Sequence, residues 1–278
     1  MNTSTEINVT PNQALWEKGD FTRLAATMRR SGDALIAGLG VTDRMNVLDV
    51  GCGDGTTAVP SAQRGATVVG VDIARNLVAA GNARAESLGL TNLSFEHGDA
   101  SNMSSIADGR FDLVVSIFGA MFAPRPFDVA KELVRVTKPG GRIVMGNWIP
   151  GDPTLVAQIL KISAAYSPAP PEGFVSPVTW GVEGNVIERF GAAGVPASSI
   201  TCEPMTYIFE HPGDPADFLT VFRDYYGPTM NAYAAASASG REAHLHAELS
   251  ELFHAQNTSD VEGSTKIPAT YLQVAVSV

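Results

Sequence analysis

Apolar and polar positions follow two rhythms along this chain. Short apolar runs recur at Val47–Val50, Thr67–Val71, Leu93–Glu96 and Phe111–Ile117, and Arg142–Asn147 follows after a Lys-Pro-Gly-Gly turn. Between them, residues 56–64, 75–88 and 127–136 read as helices; in the last, Phe127, Ala130, Leu133 and Val134 share one face. Strands that alternate with helices at this spacing predict a parallel sheet built of βαβ units. Phe111–Ile117 is almost wholly apolar, as a strand buried on both faces should be.

The flanks are less regular. Residues 1–12 read as a loose tail, and residues 15–39 carry helical spacing closed by Gly38 and Gly40. Beyond Trp148 a helix is expected over 153–166, then a proline-rich loop from Ser167 to Pro177 and a helix over Val182–Phe190. Thr201–Phe209 and Thr270–Val278 read as strands, with helices at Ala216–Tyr226 and Arg241–His254 between them. The expected fold is α/β, a Rossmann-like seven-stranded, mostly parallel sheet flanked by helices. One domain is expected: an N-terminal helical lid over 15–39, a core over 44–150, and a remainder over 151–278 with a helical insertion near 212–265.

Composition narrows the function. The chain has 278 residues and a formal net charge of −10, which repels a phosphate backbone, so nucleic acid is not an expected partner. Two cysteines, Cys52 and Cys202, are too few for a disulfide framework or a cysteine-rich metal site, and no metal is expected. The longest apolar run, Leu113–Ala123, is too short to span a bilayer, and the first residues have no signal-peptide pattern. A cytoplasmic protein is expected, with a small molecule as its partner; the oligomeric state is left open.

The first strand runs into Gly51-Cys52-Gly53-Asp54-Gly55, a G-x-G-x-G turn that lets backbone approach a ligand closely. Asp72 closes the second strand about 20 residues later, where a carboxylate can accept from both hydroxyls of a ribose. Capping of the next helix is its rival role. Asp99 follows the third strand at the same sheet edge and could accept from an adenine amino group, or simply shape a turn.

Several segments resemble class I S-adenosylmethionine-dependent methyltransferases. Val47-Leu48-Asp49-Val50-Gly51-Cys52-Gly53-Asp54-Gly55 is similar to their first motif, and Val68-Val69-Gly70-Val71-Asp72 to their ribose-binding strand. Gly98-Asp99-Ala100, Phe111–Ser116 and Glu132–Gly141 resemble later segments in the same order, so that the likeness covers residues 47–146. Leu15–Phe21, Phe118–Ala123, Asn147-Trp148 and Tyr226–Thr229 look like a small-molecule branch whose core is of the ubiquinone/menaquinone-biosynthesis type. The resemblance implies S-adenosyl-L-methionine as cofactor and S-adenosyl-L-homocysteine as product. It places Gly51, Gly53 and Gly55 around the methionine part, Asp49 near the amino group, Asp72 on the ribose and Asp99 on the adenine. It also implies Ile73 against the adenine face, Ala100 offering backbone, Ser116 near the methionine end, and Cys52 as a small buried neighbour rather than a nucleophile.

Methyl transfer to an O or N atom of a small acceptor is therefore expected, with an aromatic secondary metabolite as the acceptor class. The candidate acceptor-binding residues are Trp16, Phe21, Phe118, Met121, Phe122, Trp148 and Tyr226; core packing is the rival role for Phe118, Met121 and Phe122, and packing of a helix on the sheet's flank for Trp16 and Phe21. No general base is named. Two other readings stay open: a protein that binds the same cofactor without methylating, and a nicotinamide-dependent oxidoreductase.

Overall fold

The computed structural model describes residues 9–278. Most of the expected N-terminal tail lies outside them, but Pro11 and Asn12 already belong to helix α1, Pro11–Glu17, capped by the Thr10 hydroxyl. The expected helical stretch over 15–39 is broken. Gly19 takes a left-handed φ of +75° and Asp20 caps α2, Phe21–Ala26. A second break at Thr27-Met28 precedes α3, Arg29–Gly38.

Strands β1 (Asn46–Val50), β2 (Thr67–Asp72), β3 (Leu93–His97), β4 (Phe111–Ile117), β5 (Thr137–Trp148), β6 (Ile200–His211) and β7 (Thr265–Ser277) form one sheet. Its order is β3-β2-β1-β4-β5-β7-β6. The first five strands are parallel, and β7 runs antiparallel between β5 and β6. This is the Rossmann-like arrangement expected. Successive side chains of β1 point to opposite faces: Val47 joins one apolar cluster while Leu48 and Val50 join the other. Each face is thus covered, as a parallel sheet requires.

Helices α4 (Ala58–Gln63), α5 (Arg75–Ser87) and α6 (Pro126–Val136) return the chain between the parallel strands. In α6 the buried face is Val129, Ala130, Leu133 and Val136, and Phe127 is exposed, so the helix is rotated from the expected stripe. The Lys138–Gly141 turn bulges out of β5. Phe111 pairs with Thr137 but Leu113 with Arg142, and Gly140 takes a φ of +78°.

Helices α7 (Leu155–Tyr166) and α8 (Glu183–Ala192) follow β5. Between β6 and β7 lie α9 (Pro215–Tyr225), α10 (Gly227–Ala238) and α11 (Glu242–Gln256), which make up the expected insertion. Helix α10 was not legible because its Ala-Ala-Ala-Ser-Ala run has no apolar period. It packs on α7 and on α1, while α9 packs on α2. β7 begins at Thr265, ahead of the expected Thr270. Its Pro268 is tolerated because β5 pairs with β7 only as far as Tyr271, which leaves that edge of Pro268 without a strand.

Candidate functional site

The order β3-β2-β1-β4 reverses direction at β1, and the chain crevice at such a switch point is where open α/β sheets bind ligands. Three left-handed glycines turn the chain there: Gly51, Gly53 and Gly55, with φ of +68°, +55° and +92°. A Cβ on Gly51 would stand 2.5 Å from the Gly119 Cα, and one on Gly55 2.7 Å from the Phe95 ring. At Gly53 the nearest atoms are Phe21 ring carbons at 4.0 Å, so its face is open. The first and third glycines therefore let the turn pack, while the second leaves backbone bare to a cleft.

That cleft encloses about 880 Å³ including its mouth. Gly51, Cys52 and Gly53 form one wall, Asp72 and Ile73 a second, and Asp99 and Ala100 a third. The Asp72 carboxylate accepts from Gly53 N at 2.8 Å and from Ala74 N at 2.9 Å, so it steadies both the glycine turn and the start of α5 while facing the cleft. Burial pushes its pKa up despite these bonds. One oxygen of Asp99 accepts from the Ser101 backbone and hydroxyl, at 2.8 and 2.7 Å. The Cys52 thiol is buried and its pKa raised by that burial, consistent with an inert lining group.

Asp49, Gly55 and Ser116 stand behind the wall rather than on it. The Ser116 hydroxyl donates to Val50 O at 2.6 Å and accepts from Ala120 N at 2.9 Å, fastening the end of β1 to the turn after β4. Asp49 accepts from the Thr57 hydroxyl at 2.6 Å, and the Ala58 N–H at the start of α4 also points to it. Its other oxygen has no partner among the described residues. Burial raises its pKa to about 7 against the pull of those bonds.

Four of the expected aromatic residues, Trp16, Phe21, Phe118 and Phe122, line the cleft. All four also line an adjoining chamber, together with Trp148 and Tyr226, which measures about 320 Å³ only when the space open to solvent is counted. Phe118 is the one described non-glycine residue with a positive φ, +59°, and its ring stacks on Trp148 at 3.7 Å and 9°. Trp16 meets Phe122 edge-on at 4.8 Å and Tyr226 at 6.0 Å. Met121 lines neither space. The tight turn Ala120–Phe122 sends Phe122 to the cleft and buries Met121 in the core. Asn12 and Tyr207 also line the cleft and were not foreseen. Tyr207 lies far along the chain, and its hydroxyl bond to Met28 O, 2.9 Å, together with the Ser31–Ile208 and Glu210–Thr27 bonds, holds β6 against the N-terminal helices.

The chain matches the methyltransferase-domain family over residues 48–145. It is 33% identical over 245 residues to the uncharacterized protein Rv1403c of Mycobacterium tuberculosis, covering 87% of each chain. The chain belongs to the class I S-adenosylmethionine-dependent methyltransferases. A shorter likeness, 38% identity over 109 residues and 38% of this chain and 39% of the relative, joins it to the nocamycin O-methyltransferase of Saccharothrix syringae. The YcgJ protein of Bacillus subtilis shares the fold, with a TM-score of 0.56, 18% identity, and coverage of 88% of this chain and 97% of that one.

The chemistry of this methyltransferase site fits its cofactor. S-adenosylmethionine carries a sulfonium and an ammonium, and no Lys, Arg or His is among the described residues lining the cleft. Its charged side chains are carboxylates, with the unpartnered Asp49 oxygen just behind. A dinucleotide pyrophosphate fits poorly. The helix N-terminus that would receive it already points an N–H at Asp49, and Pro60 in the first turn of α4 has no N–H to give. Among the described residues no cluster of three or more His, Cys, Asp or Glu could hold a metal ion, and no helix is long and apolar enough to cross a membrane.

Proposed function

We propose that this methyltransferase acts on a small, apolar acceptor, an aromatic secondary metabolite by class, and alkylates an oxygen or nitrogen atom of it. The observation that carries this reading is the chamber beside the cofactor cleft: none of the described residues lining it carries a charge, and six are aromatic rings already named. A pocket for a peptide or nucleotide acceptor would need polar partners for many donors and acceptors. The partial likeness to a nocamycin O-methyltransferase supports oxygen as the acceptor atom.

In this reading Gly51 and Gly53 cradle the methionine part of the cofactor, Asp72 takes the ribose hydroxyls, and Asp99 with Ala100 reads the adenine against Ile73. Asp49, Gly55 and Ser116 act one layer back by holding the turn in shape. When bound, the cofactor supplies a methyl group activated by its positive sulfur. The chain supplies position and dryness. Phe118 and Trp148 form a stacked wall for a flat acceptor, and Trp16 and Phe122 close the space between cleft and chamber. Alignment of this kind can lower a barrier by roughly 7–11 kcal/mol. Helices α1–α3 and the α9–α11 insertion serve as the lid. Glu17 ties α1 to the core by accepting from Arg75 N at 3.0 Å, and Lys18 ties it to the insertion through Asn231 at 2.6 Å.

The test is incubation with S-adenosylmethionine and a panel of aromatic hydroxyl and amino compounds, with S-adenosylhomocysteine and methylated product followed by mass spectrometry. Stoichiometric formation of both supports the reading. Methylation of protein or nucleic acid alone, with every small molecule untouched, would sink it.

A further inference from the structure

None of the described residues lining the chamber could take a proton near neutral pH. The ionisable side chains among the described residues lining cleft and chamber are Cys52, Asp72, Asp99, Tyr207 and Tyr226. Asp72 is committed to two backbone N–H groups, and Asp99 to Ser101; neither lines the chamber. Tyr207 donates its proton to Met28 O, and burial holds both that phenol and the Cys52 thiol protonated. Asp49, whose pKa of about 7 would suit a base, lines neither space and is held by Thr57.

Tyr226 is different from the other groups. It is only 4% exposed, it lines the chamber, and its hydroxyl makes no hydrogen bond to a described residue. The hydroxyl is not among the fully enclosed polar atoms that lack partners, so it keeps a small accessible area. Burial alone raises its pKa, which keeps it a donor. A buried donor without a partner is costly, and a ligand oxygen is the natural partner in a chamber of rings.

Resting on the methyl-transfer reading, we propose that the acceptor is a flat, apolar oxygen acid that ionises unaided, and that the Tyr226 hydroxyl donates a hydrogen bond that positions its oxyanion. The chemistry sought is that of a carboxylate, enolate or acidic phenolate. The proton leaves to solvent before the acceptor is enclosed. The oxyanion then forms the new O–C bond as the C–S bond breaks, and sulfur keeps the electron pair as a neutral thioether. Two opposite charges vanish in this step, and their attraction is strongest in apolar surroundings. An alcohol would have to lose a proton inside the chamber, where none of the described lining residues accepts it. An amine would carry the positive charge from sulfur onto its own nitrogen inside the chamber, where none of the described lining residues is a carboxylate.

The experiment uses one ring system: 2-naphthoic acid, 2-naphthols of graded acidity, 2-naphthylmethanol and 2-naphthylamine, with the full chain. S-adenosylhomocysteine binding is measured first by calorimetry, because its absence would overturn the methyl-transfer reading and this proposal together. With binding intact, the acids should be methylated and the alcohol and amine should be at least ~100-fold slower. The acidic limb of the rate profile should move with the acceptor's own pKa. Tyr226→Phe should raise KM for the acids roughly tenfold or more, as expected for a lost bond to a charged group. It should leave homocysteine-product affinity and thermal stability unchanged. A limb fixed at one pH for all acceptors, comparable turnover of alcohol or amine, or no turnover of any acid would overturn the acceptor class. An unchanged KM in Tyr226→Phe would overturn the positioning role.

Discussion

The cofactor cleft and the aromatic chamber beside it share walls but are built on opposite principles. The cleft is made of backbone and short carboxylates drawn from neighbouring strand ends, and both of its carboxylates are fixed by hydrogen bonds to the chain. The chamber is made of large side chains from α1, α2, β5, β6 and α9, with ring against ring and few polar atoms. A cleft of that kind tolerates only one ligand geometry. In the proposed reading the chamber selects by shape and dryness, and the residues that line it alone, such as Trp148, can be changed without touching the cleft wall.

Trp148→Ala is the strongest test of that separation. It removes a buried ring from the Phe118 stack and should lower stability by about 3–5 kcal/mol, read as a fall in melting temperature. S-adenosylhomocysteine affinity should change less than threefold. A collapse of cofactor binding would show that the two regions are one unit. Gly51→Ala is the converse. A Cβ against Gly119 and a left-handed backbone should cost about 3 kcal/mol and abolish cofactor binding in calorimetry, whatever the chamber does.

Asp72→Ala should be milder for folding and specific for the ligand. Loss of charge-assisted bonds to ribose should weaken S-adenosylmethionine binding about 100-fold in a titration. Binding within threefold of the wild type would remove Asp72 from the site. The smallest effect concerns pH. Asp49 in the folded chain holds its proton up to about pH 7, whereas the unfolded chain releases it near 3.8. The folded state therefore binds more protons between those values, and stability should fall as pH rises through that window. If the cofactor's cation ionises Asp49, affinity should rise by up to about tenfold per unit below pH 7 and level off above it, with proton release on binding. Calorimetry in buffers of different ionisation enthalpy measures that release, and Asp49→Asn should remove the pH dependence.

The cleft was largely legible in the chain and the chamber only in part. Glycine spacing, strand-end carboxylates and apolar runs are local signals, because a tight turn and the residue that closes a strand depend on near neighbours in sequence. Seven of the ten expected cofactor residues line the cleft, and the other three failed to reach it for a reason no motif encodes: Asp49, Gly55 and Ser116 are turned inward to hold the loop. At the edge of the chamber, Met121 and Phe122 are neighbours with the same apolar character, and the tight turn decides which of them faces the open space. Tyr207 carried no signal at all, since its place depends on β6 docking against α3.

By itself the sequence determined the sheet, its parallel core, the crevice at β1 and the cofactor that fits there. These follow from periodicity and from backbone conformations that only glycine takes readily. Tertiary structure alone decided which aromatic residues meet, how α1 and the insertion pack beside them, and that none of the described residues lining the chamber is charged. Apolar packing is non-directional, so a chain can specify that its rings be buried without specifying against which distant partner each will rest.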